Sequence, residues 1–175
     1  MSRSLRTDPY PLRAARRREC VAVRSCPARL GFVHPLDESD IRQALDFFGP
    51  AAGYGVRAIE LRHTDDRLRL ATLKVPGLIV LYEQRRPPWT FPGRLSPATL
   101  DRLRRAGAHV EAATTVDWPG DTLRDFLLFD GLMHEIGHHI VQHATGKRTA
   151  RVMRTADHER RADAFATACR QAWPR

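Results

Sequence analysis

The stretch that most constrains the fold runs from Asp121 to Gly146, DTLRDFLLFDGLMHEIGHHIVQHATG. Apolar residues recur in it at helical spacing, Asp121 is a candidate cap and Gly146 a candidate stop, so the run predicts one long helix. Leu132, Met133, Ile136 and Ile140 are apolar, and a helix with this much apolar surface must be covered by another layer. Gly137, in its middle, lets a second backbone approach closely.

The rest of the chain supplies that layer. With 175 residues and 42% apolar content, the sequence suits one compact domain, expected over residues 20–175. Residues 1–19 are arginine-rich with few large apolar groups and predict a basic, disordered tail. CVAV and LGFV, either side of SCPA, fit an extended segment. DESDIRQALDFFG has Asp37 and Ser39 as cap candidates, apolar Ile41, Leu45 and Phe48, and Gly49 as a stop, which predicts a first amphipathic helix. VRAIELRH, RLRLATLKV and LIVLYEQ, the last two separated by Pro76-Gly77, predict a meander of three strands. The alternation of period two holds for only part of RLRLATLKV. After the proline-rich QRRPPWTFPGRL, SPATLDRLRRAG predicts a short helix capped by Ser96, and HVEAATTVDW one more strand. A basic linker, KRTARVMRTA, leads to a last helix, DHERRADAFATACRQAW. The expected class is α+β, a small and mostly antiparallel sheet packed on the long helix.

The formal charge is +9 and the pI about 10.6. A basic surface attracts acidic partners, nucleic acid included, by releasing counterions, and the arginine-rich tail is the candidate contact; this is attraction without sequence specificity. Three cysteines without a C-x-x-C pair do not make a disulfide framework. The N-terminus lacks the apolar core of a secretory signal, and no run reaches the length of a membrane span. A cytoplasmic location is expected, with no membrane partner; the oligomeric state is not legible.

Inside the long helix, His134, Glu135 and His138 form H-E-x-x-H. Positions four apart lie one turn above each other, so the two imidazoles can point at one ion while Glu135 projects beside it toward a water molecule on the metal. His139 and His143 lie at other angles around the helix and are read as polar neighbours. A zinc ion that activates water needs a third protein ligand and an open fourth position. Glu159 on the last helix is the preferred candidate, with its neighbour His158 as competitor, because E-x-x-x-D also places Asp163 one turn on, where it can accept the free ring N–H of a ligating histidine. Tyr82, His109, His143 and His158 are unranked candidates for stabilising an oxyanion. Asp130 reads as a solvated carboxylate or as a group orienting His134, Cys26 and Cys169 as structural thiols, and Trp89 as a loop anchor.

HEIGHH followed by ERRADAFA resembles the gluzincin group of zinc metallopeptidases, in which H-E-x-x-H is completed by a glutamate on a later helix in an E-x-x-A-D/N-x-F-A pattern. Within that group the chain is most similar to the small ImmA/IrrE-type domains. The specific motifs cover residues 121–173, and the element order of residues 37–90 agrees loosely. The resemblance implies a zincin-like minimal domain, Zn²⁺ as cofactor, His134, His138 and Glu159 as ligands, Glu135 as general base and Asp163 holding a ligand histidine. It also implies cleavage of a protein or peptide substrate, such as an intracellular regulatory protein. Arg160 and Arg161 stand where the group often has acidic or neutral residues, and no helix-turn-helix is recognised. The alternative function is a basic nucleic-acid-binding or protein-binding module in which the metal site is structural or vestigial. The presence of Glu135 weighs against it, since a structural site needs ligands but no base.

Overall fold

The structure, a computed structural model, describes residues 21–66, 68–144 and 155–174. The tail expected over residues 1–19 lies outside the described residues, as do Gly146 and residues 147–154 of the basic linker. The main sheet has four strands in the order β1 (Ala22–Ser25), β3 (Ala58–Arg62), β5 (Leu78–Tyr82), β4 (Ala71–Lys74). β1 and β5 both pair with β3 in parallel, and only β4 runs antiparallel, against β5.

This corrects the expected meander and the mostly antiparallel main sheet. The Pro76-Gly77 reversal does join β4 and β5, but β4 lies at the outer edge and β5 fills the slot beside β3. The reason is in the side chains. Ile79, Val80 and Leu81 are all buried, so β5 is covered on both faces and reads as a continuous apolar run, the mark of a central parallel strand, and in β3 every residue but Arg62 is buried, Glu60 included. Gly77 is held by geometry: its φ is +82°, and a Cβ there would fall 2.2 Å from the Gly55 carbonyl oxygen.

Two smaller antiparallel sheets complete the β content of the described residues. β2 (Phe32–Val33) pairs with β6 (Gln84–Arg85), and β9 (Thr115–Asp117) lies between β7 (Trp89–Thr90) and β8 (His109–Glu111). The single strand expected from HVEAATTVDW is therefore a hairpin, turning at Ala112 and Ala113, both at positive φ. Trp89 anchors its loop as expected, buried against Trp118 with its indole N–H donating to the Arg85 carbonyl at 2.7 Å.

The helices follow their sequence signals closely. α1 (Glu38–Phe48) has a reciprocal capping box between Asp37 and Asp40 and ends at Gly49. A single turn, α2 (Pro50–Gly53), follows, and α3 (Pro97–Arg105) is capped by Ser96 with Pro97 in its first turn. The long helix is continuous from Thr122 to Ala144, in three parts: α4 (Thr122–Phe126), a widened π-helical segment (Leu127–Met133) and α5 (His134–Ala144). Asp121 stands at its N-cap position, but its side chain makes no capping bond; its φ of −90° and ψ of 8° are not the extended geometry of a side-chain cap. All residues of the π segment except Asp130 are buried. α6 (Ala156–Ala172) begins at a Thr155 cap and packs along α5.

The chain is thus a mixed α+β fold. One hydrophobic core runs from Val21 through the sheet and the long helix to Cys169, whose thiol is pushed up to about 11 by burial. Among the described residues no helix is long and apolar enough to cross a membrane.

Candidate metal centre

His134 opens α5 and His138 lies one turn on, so their rings converge as the four-residue spacing dictates, with the Nε2 atoms 3.0 Å apart. α6 brings in Glu159: its Oε2 lies 3.4 Å from Nε2 of His134 and 3.4 Å from Nε2 of His138. These three residues are a group whose ligand atoms all fall within reach of one ion.

The triangle can be tested against a metal. Four ligands at zinc-to-nitrogen and zinc-to-oxygen distances near 2.0–2.1 Å, arranged tetrahedrally, stand about 3.3 Å from one another. Sides of 3.0, 3.4 and 3.4 Å match that spacing. The protons agree as well. Asp163 Oδ1 lies 2.9 Å from His134 Nδ1, which places the ring proton on Nδ1 and leaves the Nε2 lone pair facing the other two ligand atoms. The His138 side chain is fully buried, His134 is nearly so, and Glu159 closes the site from the solvent side with its side chain 38% exposed.

The approach of the two helices depends on Gly137. A Cβ at that position would lie 2.9 Å from the Ala162 Cα and 3.0 Å from its carbonyl oxygen, closer than atoms of a side chain settle. The glycine inside H-E-x-x-H thus sets the distance from α5 to the helix that carries Glu159 and Asp163, the close approach its sequence position suggested.

Glu135 is buried and reaches to the other side, where its Oε2 accepts the Leu73 backbone N–H of β4 at 2.9 Å. β4 is an edge strand. The Tyr82 backbone N–H donates to the Leu70 carbonyl at 2.9 Å, and with the register Thr72 to Val80 this turns the backbone groups of Ala71 and Leu73 away from β5. The open edge, His134, Glu135, Glu159 and Asp163 line one cleft of about 660 Å³, a size suited to a ligand.

The other residues singled out in the sequence sort by geometry. His139 is buried, its Nε2–H donates to the Tyr54 carbonyl at 3.0 Å, and burial together with the neighbouring His143 ring lowers its pKa to about 4. His143 packs edge-on against Tyr54. His158 stacks on the His138 ring with centroids 6.0 Å apart and lies outside the ligand triangle. None of Tyr82, His109, His143 and His158 lines the cleft. Cys26 donates its thiol to the Leu61 carbonyl at the end of β3. Asp130 neither orients His134 nor stands free in solvent: Arg102 from α3 pairs with it at 3.3 Å, and Arg170 from α6 closes on its other oxygen. Sequence reasoning missed this cationic side of the cleft, where Arg69, Arg102, Arg105 and Arg170 all contribute. Compared with protein families, curated proteins and solved structures, the chain matches none.

Proposed function

We propose that the protein is a zinc-dependent metallopeptidase with a zincin-like domain, similar in its site to gluzincins of the ImmA/IrrE type, and that it hydrolyses peptide bonds of a protein or peptide substrate in the cytoplasm. The observation that carries this reading is the triangle of His134, His138 and Glu159 with Glu135 next to it on the same helix. In this proposal His134, His138 and Glu159 hold the ion and Asp163 keeps the His134 proton on Nδ1. Zinc held there would supply Lewis acidity, able to acidify water to a pKa of about 7 and to polarise a carbonyl.

The chain's own groups supply the rest. Glu135, buried between α5 and β4, takes the proton of the attacking water on its carboxylate and passes it to the leaving amine. The outward backbone groups of β4 at Ala71 offer hydrogen bonds to an extended peptide, which would add as a further strand. Such docking orients the scissile bond without strict demands on its side chains. The two described cysteines, Cys26 and Cys169, are both free thiols, in keeping with a reducing compartment.

The test pairs metal analysis with proteolysis of a peptide pool. Purified protein should carry close to one zinc per chain, Glu159→Ala should lose it, and Glu135→Gln should keep the metal while hydrolysis falls by about 10²-fold or more. Hydrolysis unchanged in Glu135→Gln would sink the reading. Retained zinc in that variant, with no hydrolysis by the parent protein either, would favour the alternative of a binding module.

A further inference from the structure

The cleft is electrically two-sided. Glu135, Glu159 and Asp163 line it with His134 on the metal side, while Arg69, Arg102, Arg105 and Arg170 line the same cleft, Arg102 and Arg170 around a single carboxylate, Asp130. They come from three separate elements: Arg69 from the loop before β4, Arg102 and Arg105 from one face of α3, and Arg170 from α6. Arg102 and Arg170 both pair with Asp130, so one carboxylate answers two guanidinium groups. Arg69 lies over the Tyr82 ring and Arg105 donates only to the Asp101 backbone carbonyl at 3.3 Å; neither joins an ion pair among the described residues. Four guanidinium groups against one carboxylate thus leave those residues with a net charge of about +3, and Arg69 and Arg105 have no carboxylate partner among the described residues. A divalent ion at the metal side would offset two of the three carboxylate charges there and leave the cleft with a net positive charge.

We infer that this flank selects its ligand: the cleft takes peptides that present a carboxylate a few residues from the bond at the metal centre, and Arg69 and Arg105 bind that carboxylate. Guanidinium groups recognise carboxylates through paired, charge-assisted hydrogen bonds, and an exposed arginine already stacked on an aromatic ring or braced at its Nε loses little freedom in doing so. The carboxylate can come from an Asp or Glu side chain or from the chain terminus, since the chemistry is shared. This inference rests on the peptidase reading for what enters the cleft, and its test keeps the two apart.

A synthetic pool of tetradecapeptides of balanced composition, made with free and with amidated C-termini, is passed over immobilised, zinc-loaded Glu135→Gln protein, and the retained peptides are identified by mass spectrometry. Carboxylate-bearing peptides should be retained about tenfold over their amide isosteres. Enrichment in the amidated pool assigns the side chain, and enrichment confined to the free pool assigns the terminus. Adding Arg69→Ala and Arg105→Ala should abolish the preference, whereas adding Arg86→Ala and Arg94→Ala, exposed residues outside the cleft, should leave it intact. A preference that survives loss of Arg69 and Arg105, that falls equally with Arg86 and Arg94, or that never arises overturns the inference; unchanged melting of each variant excludes misfolding as the cause. In parallel the parent protein digests the same pool. Selective retention without cleavage leaves the carboxylate site standing and removes the peptidase reading, while cleavage with no acidic preference in either assay does the reverse.

Discussion

Gly137→Ala changes one hydrogen for a methyl group and should uncouple metal binding from folding. The added Cβ would lie 2.9 Å from the Ala162 Cα and 3.0 Å from its oxygen. Non-bonded carbons settle at about 3.5–4.0 Å, so α6 must retreat by about 0.5–1 Å where it crosses α5. Glu159 and Asp163 sit three residues before and one after Ala162 and move with it. Ligand positions in a metal site tolerate only about 0.2 Å, so zinc affinity should fall by more than about tenfold. Stability responds less. Overpacking costs about 1–3 kcal/mol, while replacing a mid-helix glycine by alanine returns about 1 kcal/mol, for a net loss of about 0–2 kcal/mol. For a chain of this length that is a fall in Tm of about 0–8 °C without metal. The assay is competition for zinc with a chromophoric chelator, beside thermal melts with and without zinc. An alanine variant that binds zinc as tightly as the parent would refute the view that the glycine sets the ligand spacing.

Asp163→Ala should weaken zinc binding by about tenfold, the low end for a group that orients a ligand, because the Asp163 side chain is 70% exposed; equal affinity would deny its hold on the His134 proton. His139, buried and neutral with a pKa near 4 against 6.5 in the unfolded chain, binds its proton more readily when unfolded. Its contribution is therefore complete above pH 6.5 and is lost as pH falls toward 4, by about 3 kcal/mol across that window. In urea melts of metal-stripped protein, His139→Gln should flatten the pH dependence by that amount, and parallel pH curves for the two proteins would count against it. Asp130→Asn leaves Arg102 and Arg170 without their shared anion and should lower stability by about 1 kcal/mol, with the deficit shrinking in high salt. A deficit insensitive to salt would mean that packing, not charge, holds these residues.

What was legible in the sequence is what local geometry writes into it. The capping residues Asp37 and Ser96, the stop at Gly49 and the reversal at Pro76-Gly77 act on their own neighbours, and all are found where the pattern put them. The order of strands is not local. LIVLY presents a continuous apolar run that fits either a buried central strand or one strand of a meander, and only the coverage of both its faces decides. The turn at Ala112 and Ala113 carried no glycine, asparagine or proline to announce it, so the β8–β9 hairpin read as one strand. The π-helical segment left no signal either, since a run in which almost every residue is buried has no polar face to show its period.

The candidate site divides along the same line. His134, Glu135 and His138 are related by one helix turn, and Glu159 and Asp163 by another, so each half has a pattern that periodicity can find. What joins the halves is the approach of α5 to α6, and here too the sequence carries a local mark, the glycine at position 137. The arginine flank has no such mark. Arg69, Arg102, Arg105 and Arg170 are spread over about a hundred residues of an arginine-rich chain, where each looks like solvated surface. Arg102 and Arg170 come together because Asp130, alone in a segment otherwise buried, sits at the edge of the core and reaches both, and Arg69 and Arg105 join them only where the fold lines one cleft with all four. A pattern repeated along one element thus tells which atoms can hold an ion, whereas the choice among ligands that enter the cleft depends on residues the fold assembles from distant elements. That second property must be read from the folded chain.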